Sequence, residues 1–200
     1  MRTTVDPILR GRLQIEQPEQ GYRFNIDAIL LAAFARRLAP PDVSRVVDLG
    51  AGCGVVGLLL GLELDGTKVV LVESQGELAA LCRRNLVRNG MGDRGEARCE
   101  DLRLRRWASS SGSSLVVCNP PFFPLGRGRL NVDPMIAHAR HELVGSLAQL
   151  LAATASGLND GDVFVLIHDA QRGDEVVGTL RSLGLHLCAR RLVLPLPGRS

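Results

Sequence analysis

Between residues 46 and 54 an apolar run, Val46-Val47-Asp48-Leu49, gives way to glycines at alternate positions, Gly50, Gly52 and Gly54, set around Ala51 and Cys53. A second apolar run begins at once with Val55-Val56. The order reads as a buried strand, a tight turn and a helix, the context in which G-x-G-x-G carries information. Glycine lets the chain take positive φ and leaves bare backbone for a ligand to lie against. The helix that follows offers unpaired N–H groups and a partial positive charge to an anion. A nucleoside with an acidic tail suits such a turn, although a purely structural turn would look the same.

The rest of the chain repeats the strand-then-helix order, the sequence form of a parallel sheet covered by helices. Short continuous apolar runs predict strands at 45–49, 68–73, 97–99, 115–119, 162–168 and 187–194. Helical patterns predict helices at 55–64, 75–89, 142–156 and 171–183, with a polar connection at 109–114. Before them, the stretch through Gln14-Ile15-Glu16-Gln17-Pro18 reads as extended, with a turn at Glu19-Gln20-Gly21. An apolar helix follows from about Asp27, opened by an Asx cap and stopped before Pro40-Pro41, with Arg36 and Arg37 in its last turn, where the helix dipole favours cations. The predicted class is therefore α/β, Rossmann-like, a mostly parallel twisted sheet with helices on both faces. Residues 1–44 form an extended segment and a helix packing over the ligand site, and 45–200 form the sheet domain, one structural domain overall. At 200 residues and 46% hydrophobic, the chain can bury one sizeable core.

Two further features narrow the chemistry. About twenty residues after the glycine turn, Glu73 ends the second of these predicted strands, where a carboxylate can accept from both ribose hydroxyls of an adenosine. Glycines and carboxylate alone leave S-adenosylmethionine and NAD both open. The choice comes from Cys118-Asn119-Pro120-Pro121-Phe122, which follows the apolar strand Leu115-Val116-Val117. Asn119 and the Pro120 carbonyl can accept the two hydrogens of a planar amino group. The prolines hold that edge rigid, and Phe122 can stack on a flipped base. An Asn-Pro-Pro turn can also be a plain strand terminator.

These residues look like the N-P-P-[YF] amino methyltransferases of class I. From Asp6 to Leu194 the chain resembles the bacterial adenine-N6 methyltransferases that modify the anticodon loop of valine tRNA. The resemblance rests on Gly21-Tyr22-Arg23-Phe24 with Asp27 and the apolar helix after it, the turn from Asp48 to Gly54, Glu73, Cys118-Asn119-Pro120-Pro121-Phe122, and Ala139-Arg140-His141-Glu142. It implies S-adenosylmethionine as cofactor and a tRNA substrate. It also implies that Phe24 and Asp27 line the cofactor pocket and that Asp101 holds the cofactor's adenine amine. Asp27 as a helix cap and Asp101 as a solvated loop acid are the plainer alternatives.

Class I methyltransferases end in a hairpin whose last, seventh strand inserts antiparallel beside the fifth. Here the residues after Leu194 are Pro195-Leu196-Pro197-Gly198-Arg199-Ser200, so that strand is expected to be missing, with 187–194 either pairing in its place or leaving an open edge.

For RNA, stretch 124–140 supplies Arg127, Arg129 and Arg140 just after the N-P-P-F turn, where phosphates of an extruded nucleotide would arrive. Arg103, Arg105 and Arg106 before Trp107 form a second basic group. Apart from Lys68 every basic residue is arginine, which favours phosphate and base contacts but would also follow from a GC-rich genome. The net charge is only +3. The five cysteines are scattered, with no C-x-x-C pair, and His138 and His141 lack further ligand spacing, so no disulfide framework and no metal are expected. No apolar run is long enough for a membrane span, and the chain reads as cytoplasmic. Three rival readings stay open: glutamine-N5 methylation of a protein such as a release factor, an NAD-dependent oxidoreductase, and a binding domain without turnover. The second would need a catalytic Tyr-Lys or His-Asp arrangement, and Tyr22 and Lys68 are misplaced for it.

Overall fold

The computed structural model describes residues 1–21, 23–103, 112–120 and 146–194. Valine-rich segments make the central strands: β3 (Val43–Leu49), β4 (Lys68–Glu73) and β6 (Ser113–Cys118), joined by β5 (Gly95–Cys99) and β7 (Val163–Leu166). They form one parallel sheet in the order β5-β4-β3-β6-β7. β-Branched side chains suit strands covered on both faces, and Val46, Val47, Leu49, Val69, Leu71, Val72, Leu115 and Val117 are wholly buried. Each contributes roughly 1.5–3 kcal/mol of burial.

Alternation sorts the sheet into two faces. Val46, Val69, Leu71, Leu115 and Val117 meet α1 (Ile26–Leu38), α2 (Val55–Glu63) and α3 (Gly76–Arg88). Val47, Leu49, Val70, Val72 and Val116 face the other way. On that side α4 (Leu147–Ala155) and α5 (Gly173–Ser182) pack through Leu147, Leu150, Leu151 and Val176. This is the class I methyltransferase arrangement of a Rossmann-like sheet with helices on both faces. Asn25 caps α1, its Oδ1 accepting from the Asp27 N–H at 3.0 Å. α4 opens on a capping box between Ser146 and Gln149.

Three expectations need correction. The N-terminal extended segment is a hairpin: β1 (Thr3–Ile8) pairs antiparallel with β2 (Leu13–Pro18), outside the main sheet. β5 begins at Gly95 rather than 97, because β4 offers a partner for each of its residues from Val69 onward. Finally, 187–194 is not a strand; it joins no strand among the described residues, and Leu187, Leu192, Val193 and Leu194 are exposed, while Arg190 pairs with Asp174 and Arg191 lies over Phe34. An apolar run becomes a strand only where a neighbour supplies its ladder. Among the described residues β7 is an edge strand, bonded to β6 alone. Also among them, no helix is long and apolar enough to cross a membrane.

Candidate active site

The strand order reverses between β3 and β6, and in open parallel sheets the crevice beyond the carboxyl ends at such a point is where ligands bind. Gly50, Gly52 and Gly54 leave β3 there, all with positive φ (70°, 59° and 89°). The Gly50 and Ala51 N–H groups both donate to the Val72 carbonyl, at 2.9 and 3.0 Å, turning the chain sharply across the end of β4. A Cβ on Gly50 would meet nothing within 4 Å, so open space lies against that stretch of backbone.

Two buried carboxylates frame the turn. Glu73, at the end of β4, accepts from the Gly52 N–H at 2.9 Å and the Gln75 N–H at 2.8 Å, which orients the group at the mouth of the crevice. Asp48 accepts from the Gly57 N–H at 2.8 Å and thereby ties β3 to the first turn of α2. Burial pushes its carboxyl from 3.8 up to about 7, against the pull of the Gly57 N–H and with a further push from the charge of Glu73. The thiols nearby are no nucleophiles. Burial raises Cys53 to about 12 and drives Cys82 and Cys118 well up, so all three stay protonated at neutral pH.

Helix α3 holds the turn from behind. The Cys82 thiol donates to the Gly52 carbonyl at 3.2 Å, and the Asn85 amide donates to the Cys53 carbonyl at 2.9 Å. Asn85, fully buried, also exchanges bonds with the backbone of Glu16 in β2, its Nδ2 donating at 2.8 Å and its Oδ1 accepting at 2.8 Å. The sequence reading missed Asn85. The available signal was a polar residue on the buried stripe of α3, in the helical spacing of Leu78, Cys82, Asn85 and Leu86.

The hairpin holds the segment that follows it, where the next expected site residues lie. Gln17 donates to Asp6 at 2.7 Å and accepts from the Phe24 N–H at 3.3 Å. Arg23 donates to Thr4, Pro18 and Asp6. Phe24 is thus held against the α1–α3 core, half-buried. The Asp27 carboxylate accepts from the Asn25 side chain at 2.9 Å. On the far side of the crevice, Cys118 lies opposite Leu49 in register, so Asn119, half-buried, and Pro120, buried, leave β6 alongside the start of the glycine turn. Asp101, two residues past β5, is paired with Arg103, which donates through its backbone N–H and guanidinium; this ion pair holds the Asp101 carboxyl below its usual range. Pro121, Phe122, Arg127, Arg129 and Arg140 lie outside the described residues, as do Tyr22, Arg105, Arg106, Trp107, His138 and His141.

The residues present fit an adenosine with a charged tail: open space along Gly50, and acids ending or following two adjacent strands. Comparison with known proteins agrees. The family model described as methyltransferase small domain matches residues 27–156. A tRNA1(Val) (adenine(37)-N6)-methyltransferase of Bacteroides fragilis is 29% identical over 177 residues, covering 86% of this chain and 70% of the relative. The protein of the same name from Klebsiella pneumoniae is 28% identical over 165 residues, covering 82% of this chain and 65% of its own length. Among solved structures, ribosomal protein L11 methylase from Lactobacillus delbrueckii subsp. bulgaricus superposes with a TM-score of 0.64 at 15% identity, covering 94% of this chain and 84% of that one. A SAM-dependent methyltransferase from Agrobacterium tumefaciens gives 0.62 at 16% identity, covering 90% and 58%. At those identities the likeness is one of fold. Class I methyltransferases take S-adenosylmethionine, and it is the cofactor here. With the match running from the first turn of α1 to just past the end of α4, this chain belongs to the methyltransferase small domain family.

Proposed function

We propose that the chain methylates N6 of an adenine in RNA, with tRNA as the substrate. The observation that carries the reading is the pairing of β6 with β3. It sets Asn119 and Pro120 beside the glycine turn, so an amine accepted by one edge would face the cofactor held by the other.

An exocyclic amine is a poor nucleophile because its lone pair is delocalised into the ring. The Asn119 side-chain oxygen and the Pro120 carbonyl each accept one N–H, favouring a more pyramidal nitrogen whose lone pair is available. This is preorganised electrostatics, and it needs no strong base. Pro121 fixes the backbone of that edge, and Phe122 stacks on the extruded base. When bound, S-adenosylmethionine supplies a methyl group on a sulfonium that leaves as a neutral thioether. The chain's own part is to align nitrogen with that methyl, after which the nitrogen's extra proton passes to solvent. For the cofactor, Gly50, Gly52 and Gly54 provide close backbone approach, Glu73 takes the ribose hydroxyls, and Asp48 braces the turn through α2. Phe24 and Asp27 wall the pocket. Asp101 takes the adenine amine and shares its carboxylate with Arg103 when it does so. Arg127, Arg129 and Arg140 meet RNA phosphates, which makes binding salt-sensitive. The names of the tRNA-modifying relatives support adenine over a glutamine amide, which presents the same planar NH₂.

The test is transfer of labelled methyl from S-adenosylmethionine to tRNA lacking its modifications, with a release-factor protein in parallel. N6-methyladenosine in the tRNA is the expected product; label in protein glutamine would overturn the substrate class. Asn119→Ala should cost about 100-fold or more in kcat while cofactor affinity holds. Unchanged transfer by that variant would remove Asn119 from the amine-accepting edge.

A further inference from the structure

β2 has one edge bonded to β1, and its other edge is closed by side chains of α3. Asn89 accepts from the Gln14 N–H at 2.9 Å and donates to the Gln14 carbonyl at 2.9 Å. One helical turn earlier, Asn85 does the same for Glu16, at 2.8 Å in each direction. Two amides at i and i+4 thus stand in for a neighbouring strand along alternate residues of β2. They differ in one bond. The second Nδ2 proton of Asn85 goes to the Cys53 carbonyl, inside the glycine turn, whereas that of Asn89 goes to the Asn85 carbonyl within α3. Asn85 is fully buried, and its two donated bonds use the whole donor capacity of its amide while its oxygen accepts the third. The ion pairs that also hold Glu16, from Arg84 at 3.0 Å and Arg88 at 3.2 Å, reach its carboxylate from the rim and do not touch the turn.

We propose that Asn85 is a positioning residue that couples the seating of the N-terminal hairpin to the conformation of the cofactor turn. Cofactor binding then tightens a segment that lies behind the turn, and the hairpin, which carries Phe24 through Gln17, closes the pocket in the same equilibrium. The inference rests on S-adenosylmethionine being held at the glycine turn. One side-chain amide is the link, because it alone among these contacts bonds backbone atoms of both the hairpin and the turn. Losing its bond to Cys53 leaves a buried carbonyl without its donor and a turn free to shift.

The experiment follows amide exchange of the whole chain with and without S-adenosylhomocysteine, the demethylated product, together with its affinity by calorimetry. In the unaltered protein the ligand should slow exchange in both the 50–54 turn and β2. Asn89→Ala should speed exchange in β2 yet leave its slowing by ligand intact, with affinity changed less than about twofold. Asn85→Ser should abolish the response of β2 and weaken the ligand about tenfold, with KM for S-adenosylmethionine rising and kcat largely kept. If Asn85→Ser fails to fold, Asn85→Asp keeps the shape and the acceptor for Glu16 while removing both donors, and should uncouple the two segments likewise. A β2 response that survives in the folded Asn85 variant, or that is lost equally in Asn89→Ala or Arg84→Ala, would overturn the proposal. Absence of any binding to the unaltered protein would instead bring down the cofactor reading and this inference with it.

Discussion

Asp48 has its carboxyl buried under the glycine turn, and burial governs its titration. Its carboxyl is raised from 3.8 to about 7, so the folded state binds that proton more tightly than the unfolded state does. Stability from this group is therefore full below about pH 4, declines as pH climbs towards 7, and is level above that. The whole swing is on the order of a few kcal/mol. Asp6, Glu16, Asp101 and Glu175, whose carboxyls are held low by hydrogen bonds and arginines, act in the opposite sense and at more acid pH. Urea unfolding of the cofactor-free protein at pH 5 and pH 8 should show higher stability at pH 5. Asp48→Asn should flatten that difference; an unaltered slope would place the titration elsewhere.

At the scale of elements, α2 turns glycines towards the sheet, with no room for a side chain there. A Cβ added at Gly57 would come within 2.3 Å of Leu71 Cδ2 and 3.2 Å of the Asp48 Cβ. Alanine's better helix propensity would return about 1 kcal/mol, whereas overpacking a filled core costs about 1–3 kcal/mol. Leu71 is fully buried and cannot swing away, so strain should win. Gly57→Ala is expected to lower Tm by several degrees and to weaken cofactor binding, because it also presses on Asp48. A Tm at or above that of the unaltered protein would show that α2 can back away. The main strands and helices were legible in the sequence because valine runs and helical stripes announce themselves, and so were the turn and the positions of Glu73 at the end of β4 and Asn119 just past β6. Three things were not. β1 contains Pro7 and polar alternation, and it turns through Leu9 and Arg10 at positive φ, for which neither residue type gives a cue. The run 187–194 has the right composition but, among the described residues, no neighbouring strand. Asn85 works through backbone partners far off in the chain, and spacing cannot reveal those.

For the molecule as a whole, two kinds of cohesion coexist. The five-stranded sheet is held by apolar layers on both faces, while the hairpin, besides burying Leu13 and Ile15 in the core, is joined to α3 by the polar contacts of Gln14 and Glu16 with Asn89, Asn85, Arg84 and Arg88. Polar attachments of that sort open more readily than buried apolar strands. Native-state amide exchange should accordingly rank β1 and β2 below β3, β4 and β6 in protection, with the hairpin released as one unit before the sheet unfolds. Equal protection throughout would mean that the hairpin and sheet are a single cooperative body.

The strand order has one more consequence, which concerns the chain as it is made. The β4 partner of β3 follows it closely in the chain, but the partner for its other edge is β6, whose Cys118 must come to lie opposite Leu49. On a ribosome that interval lasts on the order of seconds, during which an apolar strand of Val46, Val47 and Leu49 stands with one side unclaimed. The central strand of the finished enzyme is thus the exposed edge of the nascent one, and the site at its tip cannot be completed until most of the domain has been synthesised.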